Sequence, residues 1–263
     1  MPSTGYRAVE RAMPWIVILG SLLLWQVAVR LLSIEEFILP APTDIFAALL
    51  QYRRPIFASA LYTLVNTLCG FSLGIAIGLI LGMIIGTSRL AYAGLYPLLI
   101  GLNSVPKAAV VPILVLWMGI GQPPAITTAF LLSFFPITVN VATGLVTTEP
   151  ELEDVLRSLG ATRVDILRKV GIPRSLPYFF ASLKVSITLA FVGAVISETL
   201  ASNDGIGYLM VQAASQFRTP LMFAGVSVIA VMGIATYLIF VVIERRFTGW
   251  ATRRDNITVL GSG

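Results

Sequence analysis

The chain has 263 residues, of which 57% are hydrophobic and 12% charged, with a net charge of +5 and a pI near 9.6. Soluble domains carry roughly 25% charged residues, so this composition excludes one. Histidine is absent and Cys69 is the only cysteine, which removes His-based acid–base catalysis, His-ligated metal sites, CxxC chemistry and an intramolecular disulfide.

The mean hydropathy is +0.89, and apolar runs near ~20 residues recur along the whole length, as in a polytopic helical membrane protein. The fold class expected is therefore all-α. The basic excess does not indicate nucleic acid, because no basic run is interleaved with aromatics. Basic residues gather instead on the cytoplasmic side of membrane proteins. No GxxxxGK[ST] phosphate loop occurs, so ATP is not expected to bind this chain through that motif.

In chain order, residues 1–12 read as a cytoplasmic N-terminus and Trp15–Leu32 as the first span, too long and too poor in small residues for a signal peptide. Residues 33–58 form a connecting segment with a short helix over Ile45–Tyr52, capped by Thr43. The second span, Ser59–Thr87, carries Gly70, Gly74, Gly78, Gly82 and Gly86 at four-residue spacing. Such a stripe lets a neighbouring helix approach closely, in the same chain or in a second copy. Cys69 in this span is expected to be a buried, inert thiol. The third span, Tyr92–Met118, is interrupted at Asn103-Ser104-Val105-Pro106-Lys107 and again at Pro112, since proline removes a backbone donor. Gly119–Pro124 reads as a tight turn, and the fourth span covers Ala125–Val146. A charged segment, 149–177, precedes the fifth span, Tyr178–Ala201. A polar stretch from Ser202 to Pro220 leads to the sixth, Leu221–Ile243. Residues 13–246 thus make one six-helix domain, and 247–263 a cytoplasmic tail.

Six spans place both ends on one side. With the ends cytoplasmic, twelve basic residues lie there (Arg7, Arg11, Arg89, Arg157, Arg163, Arg168, Lys169, Arg174, Arg245, Arg246, Arg253, Arg254) against four outside (Arg30, Arg53, Arg54, Arg218). The positive-inside rule therefore makes the 149–177 segment cytoplasmic. Its sequence encodes two short amphipathic helices. Pro150 suits a first helical turn, and Leu152, Val155, Leu156 and Leu159 share one face. Gly160 ends that helix. Thr162 and Asp165 form a capping box for a second helix, with Ile166, Leu167 and Val170 as its apolar side and Gly171 and Pro173 as its end.

The run Asp154-Val155-Leu156-Arg157-Ser158-Leu159-Gly160-Ala161-Thr162, followed by Ile172-Pro173 and Pro177, resembles the EAA loop of binding-protein-dependent ABC importer permeases. Asp154 stands where the motif has Glu, and Val155 and Leu156 where it has two alanines. Leu39-Pro40-Ala41-Pro42, Val105-Pro106-Lys107, Leu116-Trp117-Met118-Gly119 and Gly205-Ile206-Gly207-Tyr208 extend the resemblance over roughly residues 35–250. It is strongest to the nitrate, sulfonate and taurine permease group, which includes riboflavin and thiamine-precursor systems. The resemblance implies a type I importer permease in the inner membrane of a prokaryote. It further implies a second permease copy, two cytoplasmic ATPase subunits holding ATP–Mg, and an extracytoplasmic substrate-binding protein. No cofactor and no catalysis are implied in this chain. ATPase coupling would fall on Asp154, Val155, Leu156, Leu159, Gly160, Ala161, Arg163, Ile172 and Pro173.

Within the spans, Asn103, Lys107, Asn140 and Glu198 are candidates for a translocation pathway, because intramembrane charges usually face a cavity or a partner. Lys107 and Glu198 stand equally as a structural salt bridge. Asn103, Ser104, Asn140 and Ser197 could line such a pathway, but for any single one ordinary interhelical hydrogen bonding is the favoured reading. Arg163, Arg168 and Lys169 read either as lipid anchors or as contacts to acidic ATPase residues, and Lys184 as a snorkelling lysine. An ATP-independent carrier or channel is the competing function, since such proteins also use broken helices.

Overall fold

The computed structural model describes residues 4–147 and 155–248, and among them there is no strand. Apolar runs fold as helices because lipid offers no partner for a free N–H or C=O. In order they are α1 (Thr4–Leu31), α2 (Pro42–Gln51), α3 (Arg53–Thr87), α4 (Arg89–Ser104), α5 (Lys107–Met118), α6 (Gln122–Val146), α7 (Arg163–Ile166), a π-helical turn (Leu167–Gly171), α8 (Ile172–Ala201), α9 (Ile206–Ser215) and α10 (Thr219–Thr248). Among the described residues, five continuous stretches are long and apolar enough to cross a membrane, and α4 and α5 form a broken pair bent by 90°.

The glycine stripe of α3 lies on α6 of the same chain. A Cβ added at Gly70, Gly78, Gly82 or Gly86 would fall 2.6–2.9 Å from the Cβ of Ala129, Ile137, Val141 or Leu145, and one at Gly74 2.4 Å from Ser133 Oγ. The contacts advance by four residues on both helices, so α3 and α6 run parallel in close backbone contact. Helix α8 packs antiparallel on α6, with Gly144 against Ser175 at one end and Gly193 against Ala129 at the other. Phe71, Ile137, Val141, Ile187 and Phe191 fill the core between these three helices. A second cluster joins α2, α9 and the start of α10 through Ile45, Ala48, Ile206, Leu209 and Leu221.

Several expectations need correction. Helix α2 begins at Pro42 after Ala41, and Thr43 is not its cap. The Asp44 carboxylate accepts the Ala41 N–H (3.3 Å) instead. The Thr43 hydroxyl accepts from Gln26 Nε2 (3.2 Å), and Arg30 pairs with Asp44 at 2.7 Å, so this turn fastens α1 to α2. Pro112 sits inside α5 without breaking it, leaving one break at Val105-Pro106. Pro123 and Pro124 belong to the first turn of α6, where a missing N–H costs nothing. The polar Ser202–Pro220 stretch contains α9, whose Ile206, Leu209 and Ala213 are buried. Cys69 is exposed on the outer face of α3. Lys184 is not a lone snorkelling lysine, since its ammonium meets Glu244 of α10 at 2.6 Å.

Gly171 and Pro173 do not end a helix either. Residues from Arg163 to Ala201 form one 39-residue helix, with a wider π turn just before the proline. The Ile172 N–H bonds to Leu167 O, five residues back. That widened ring makes room for a proline that would otherwise crowd the preceding turn.

Candidate functional site

The 149–177 segment has one anchored half and one projecting half. Residues 155–158 are helical, and the helix closes in a Schellman motif. The Ala161 N–H bonds to Leu156 O (3.0 Å) and the Gly160 N–H to Arg157 O (2.9 Å). Gly160 has φ +87°, and a Cβ there would meet nothing within 4 Å, so conformation alone requires glycine. Thr162 and Asp165 make the expected capping box, the Asp165 N–H on Thr162 Oγ1 and the Thr162 N–H on Asp165 Oδ2, both at 3.2 Å. Ile166 is buried, and Leu167 packs against the core cluster that holds Leu145 and Phe180. Val155, Leu159 and Val164, by contrast, are 55%, 78% and 56% exposed. Arg163 and Arg168 are exposed, Ile172 is 38% exposed, Pro173 is half-buried, and Lys169 lies 3.7 Å from Asp165. Asp154, with the start of this segment from Glu149, lies outside the described residues.

The two intramembrane charges do not meet. Lys107 Nζ donates to the Asn103 carbonyl, to Asn103 Oδ1 (3.0 Å) and, more weakly, to Leu102 O (3.5 Å). Two of these bonds cap the last backbone carbonyls of α4 across the 90° bend, and the third holds the Asn103 side chain. Asn103 and Ser104 are exposed there, with the Ser104 hydroxyl turned back to Ile100 O (2.9 Å). Glu198 is fully buried. Its carboxylate accepts from Thr63 Oγ1 (2.7 Å), Asn66 Nδ2 (3.2 Å) and the Gly207 N–H (3.2 Å), and Thr63 Oγ1 accepts the Ile206 N–H (2.9 Å). The first amides of α9 are thus satisfied by side chains of α8 and α3. A Cβ at Gly205 would fall 2.3 Å from Glu198 Cδ, and one at Gly207 2.8 Å from its Cβ. The glycines of the Gly205-Ile206-Gly207-Tyr208 motif therefore make room for this carboxylate.

Asn140, half-buried on α6, turns its amide to Pro136 O (2.8 Å). Ser197 is buried beside Glu198. Thr63 and Asn66 were not expected at a site. Their signal was periodicity: Thr63, Asn66, Thr67 and Gly70 stand at i, i+3, i+4 and i+7, a polar continuation of the glycine stripe.

The model of the binding-protein-dependent transport system inner membrane component family matches residues 74–249. That range runs from the glycine stripe through the bend and the charged segment to the end of α10. The chain belongs to this family of ABC transporter permeases.

Among curated relatives, the permease is 29% identical over 95% of its length to the formylaminopyrimidine transport permease protein ThiX of Halalkalibacterium halodurans, covering 99% of that protein. It is 35% identical to the riboflavin transport system permease protein RibX of Chloroflexus aurantiacus, over 87% of this chain and 86% of that one. The putative aliphatic sulfonates transport permease protein SsuC of Bacillus subtilis is 30% identical over 86% of this chain and 83% of its own. In fold, the permease resembles a chain of the inward-facing MetNI methionine ABC transporter. The TM-score is 0.66 at 19% identity, over 75% of this chain and 98% of that one.

Proposed function

We propose that this permease forms the translocation pathway of an ATP-driven importer for a small solute. Two copies would enclose the path, two cytoplasmic ATPase subunits would hold ATP–Mg, and an extracytoplasmic binding protein would deliver the solute. The membrane is the inner membrane of a prokaryote. The observation that carries this reading is the 155–171 segment: exposed Val155, Leu159 and Val164 on an arm rooted in the core by Ile166 and Leu167. Exposed apolar side chains on a rigid mount mark a docking surface. The exposed Arg163 extends it with positive charge.

Helices α6 and α8 flank this arm, so a docked ATPase that closes on ATP would push on both. Helix α8 continues without a stop to Ala201, which carries the stroke to the far side and alternates access to the path. The exposed bend with Asn103 and Lys107 is the candidate lining, with Asn140 on α6 as a further polar contact. Glu198 serves the far end of α8. The names of the relatives favour a small organic solute, among them sulfonates, riboflavin and formylaminopyrimidine.

The test is co-purification from membranes followed by reconstitution into vesicles. An ATPase chain that elutes with the permease, and uptake of riboflavin or an alkanesulfonate that stops when ATP is withdrawn, is the expected result. Uptake that persists without ATP, with no ATPase bound, identifies an ATP-independent carrier and sinks the importer reading.

A further inference from the structure

The long helix that leaves the docking arm has a charged group at its far end. From Ile172 to Glu198 a helix rises about 39 Å at ~1.5 Å per residue, so this one helix links the arm to the opposite end of the bundle. There Glu198 holds three partners at once: Thr63 and Asn66 on α3, and the first turn of α9 through Gly207. Helix α9 has no side-chain cap of its own, since it starts at Gly205. Its leading amides depend on Glu198 directly and on Thr63, which Glu198 orients. In a dry, low-dielectric setting an unpaired polar group is costly, so this joint does not open cheaply. Helix α9 in turn packs with α2 and α10 through Ile206, Leu209 and Leu221.

We infer that Glu198 is a positioning residue for transport: it makes α9 follow α8, so that a displacement entering at the docking arm is delivered to the extracytoplasmic rim. This rests on the importer reading above. The joint consists of hydrogen bonds rather than an ion pair. Glutamine at 198 can keep it, because its carbonyl takes the Thr63 and Gly207 bonds while its amide donates to Asn66 Oδ1 once the Asn66 amide, which now presents Nδ2 to Glu198, turns over. That oxygen is buried and has no protein hydrogen-bond partner. Alanine at 198, or valine at 63, cannot keep it.

The experiment uses the permease reconstituted with its ATPase, with Cys69 replaced by serine because that thiol is exposed. Spin labels are placed at exposed Ser158 on the arm and, separately, at exposed Gln212 on α9. Distances between the two copies are measured before and after trapping with ATP–Mg and vanadate. In the wild type both labels shift. E198A and T63V are expected to keep the Ser158 shift and lose the Gln212 shift, and E198Q to keep both. Undiminished Gln212 shifts in E198A and T63V overturn the inference. So does failure of both variants to assemble with the ATPase, which would make Glu198 a folding residue only. A wild-type Ser158 label that never responds to nucleotide counts against the importer reading instead, so the two failures are distinguishable.

Discussion

Glu198 and Lys107 do the same job with opposite charge. Lys107 places an ammonium on the last carbonyls of α4, and Glu198 a carboxylate on the first amides of α9. Each sign is the one the helix dipole favours at that end. A helix that breaks at membrane depth leaves up to about four orphan groups at each end, and no water is there to take them. At these two positions charge sits where a helix stops, while Lys184, inside α8, is matched by Glu244 of α10. Lys107 and Glu198 are both visible in the sequence as oddities, and Lys107 finds its partners within five residues, whereas nothing in the sequence pairs Glu198 with Thr63 and Asn66. Thr63 lies 135 residues from Glu198, and a cap supplied by another helix leaves no local pattern. Gly160 is the opposite case, legible because its partners are its neighbours. Valine at 160 must adopt φ near +87°, at a local cost of about 1–2 kcal/mol for a left-handed residue. Nothing else crowds the site. Gly160→Val is therefore expected to insert and melt like the wild type while losing most of its ATPase in pull-downs from membranes. Gly160→Asn, which tolerates that conformation better, is expected to retain more.

At the scale of elements, the spacing of residues was legible and their facing partners were not. Five glycines at one period announce a close contact, but Ala129, Ser133, Ile137, Val141 and Leu145 share no residue type that would mark them as its other half. Only the register of α3 on α6 pairs them. Hydropathy also fails to separate the two faces of a span, because a lipid-facing surface is as apolar as a core. That is why Cys69 was expected inside and lies outside. Helix α9 was hidden by its polar lead-in, Ser202-Asn203-Asp204-Gly205, and by its length of 10 residues. The π turn before Pro173 leaves no periodic trace over five residues. Gly78→Leu tests the α3–α6 contact. A Cβ at Gly78 already falls 2.9 Å from Ile137, and overpacking costs about 1–3 kcal/mol or more. Thermal unfolding in detergent is expected to drop by several degrees or the yield to collapse. Gly233→Leu, where nothing lies within 4 Å, is the control and should leave the unfolding midpoint in place.

For the whole molecule, the direction of the helices bears on how many times the chain crosses. Helices α3 and α6 run parallel, so between Thr87 and Gln122 the chain must return to the end from which α3 started. The bent pair α4–α5 is the segment that makes this return. The start of α6 sits with the far ends of other helices, since the Gly121 N–H bonds to Ala201 O (3.1 Å). The end of α3 sits instead beside Leu145, at the root of the proposed docking arm. A re-entrant loop would leave Thr87 and Gln122 on one side, whereas a broken span puts them on opposite sides. With Cys69 replaced by serine, single cysteines at exposed Thr87 and Ile120 therefore separate five crossings from six. An impermeant maleimide added to intact spheroplasts is expected to label Ile120→Cys and to spare Thr87→Cys until the membrane is opened. Ser158→Cys on the arm should behave like Thr87→Cys, and Asn203→Cys beyond α8 like Ile120→Cys. The positive-inside count predicts which side is which, and the parallel packing of α3 on α6 sets the parity. Labelling of Thr87→Cys and Ile120→Cys from the same side would break the parity argument while leaving the docking proposal for the arm untouched.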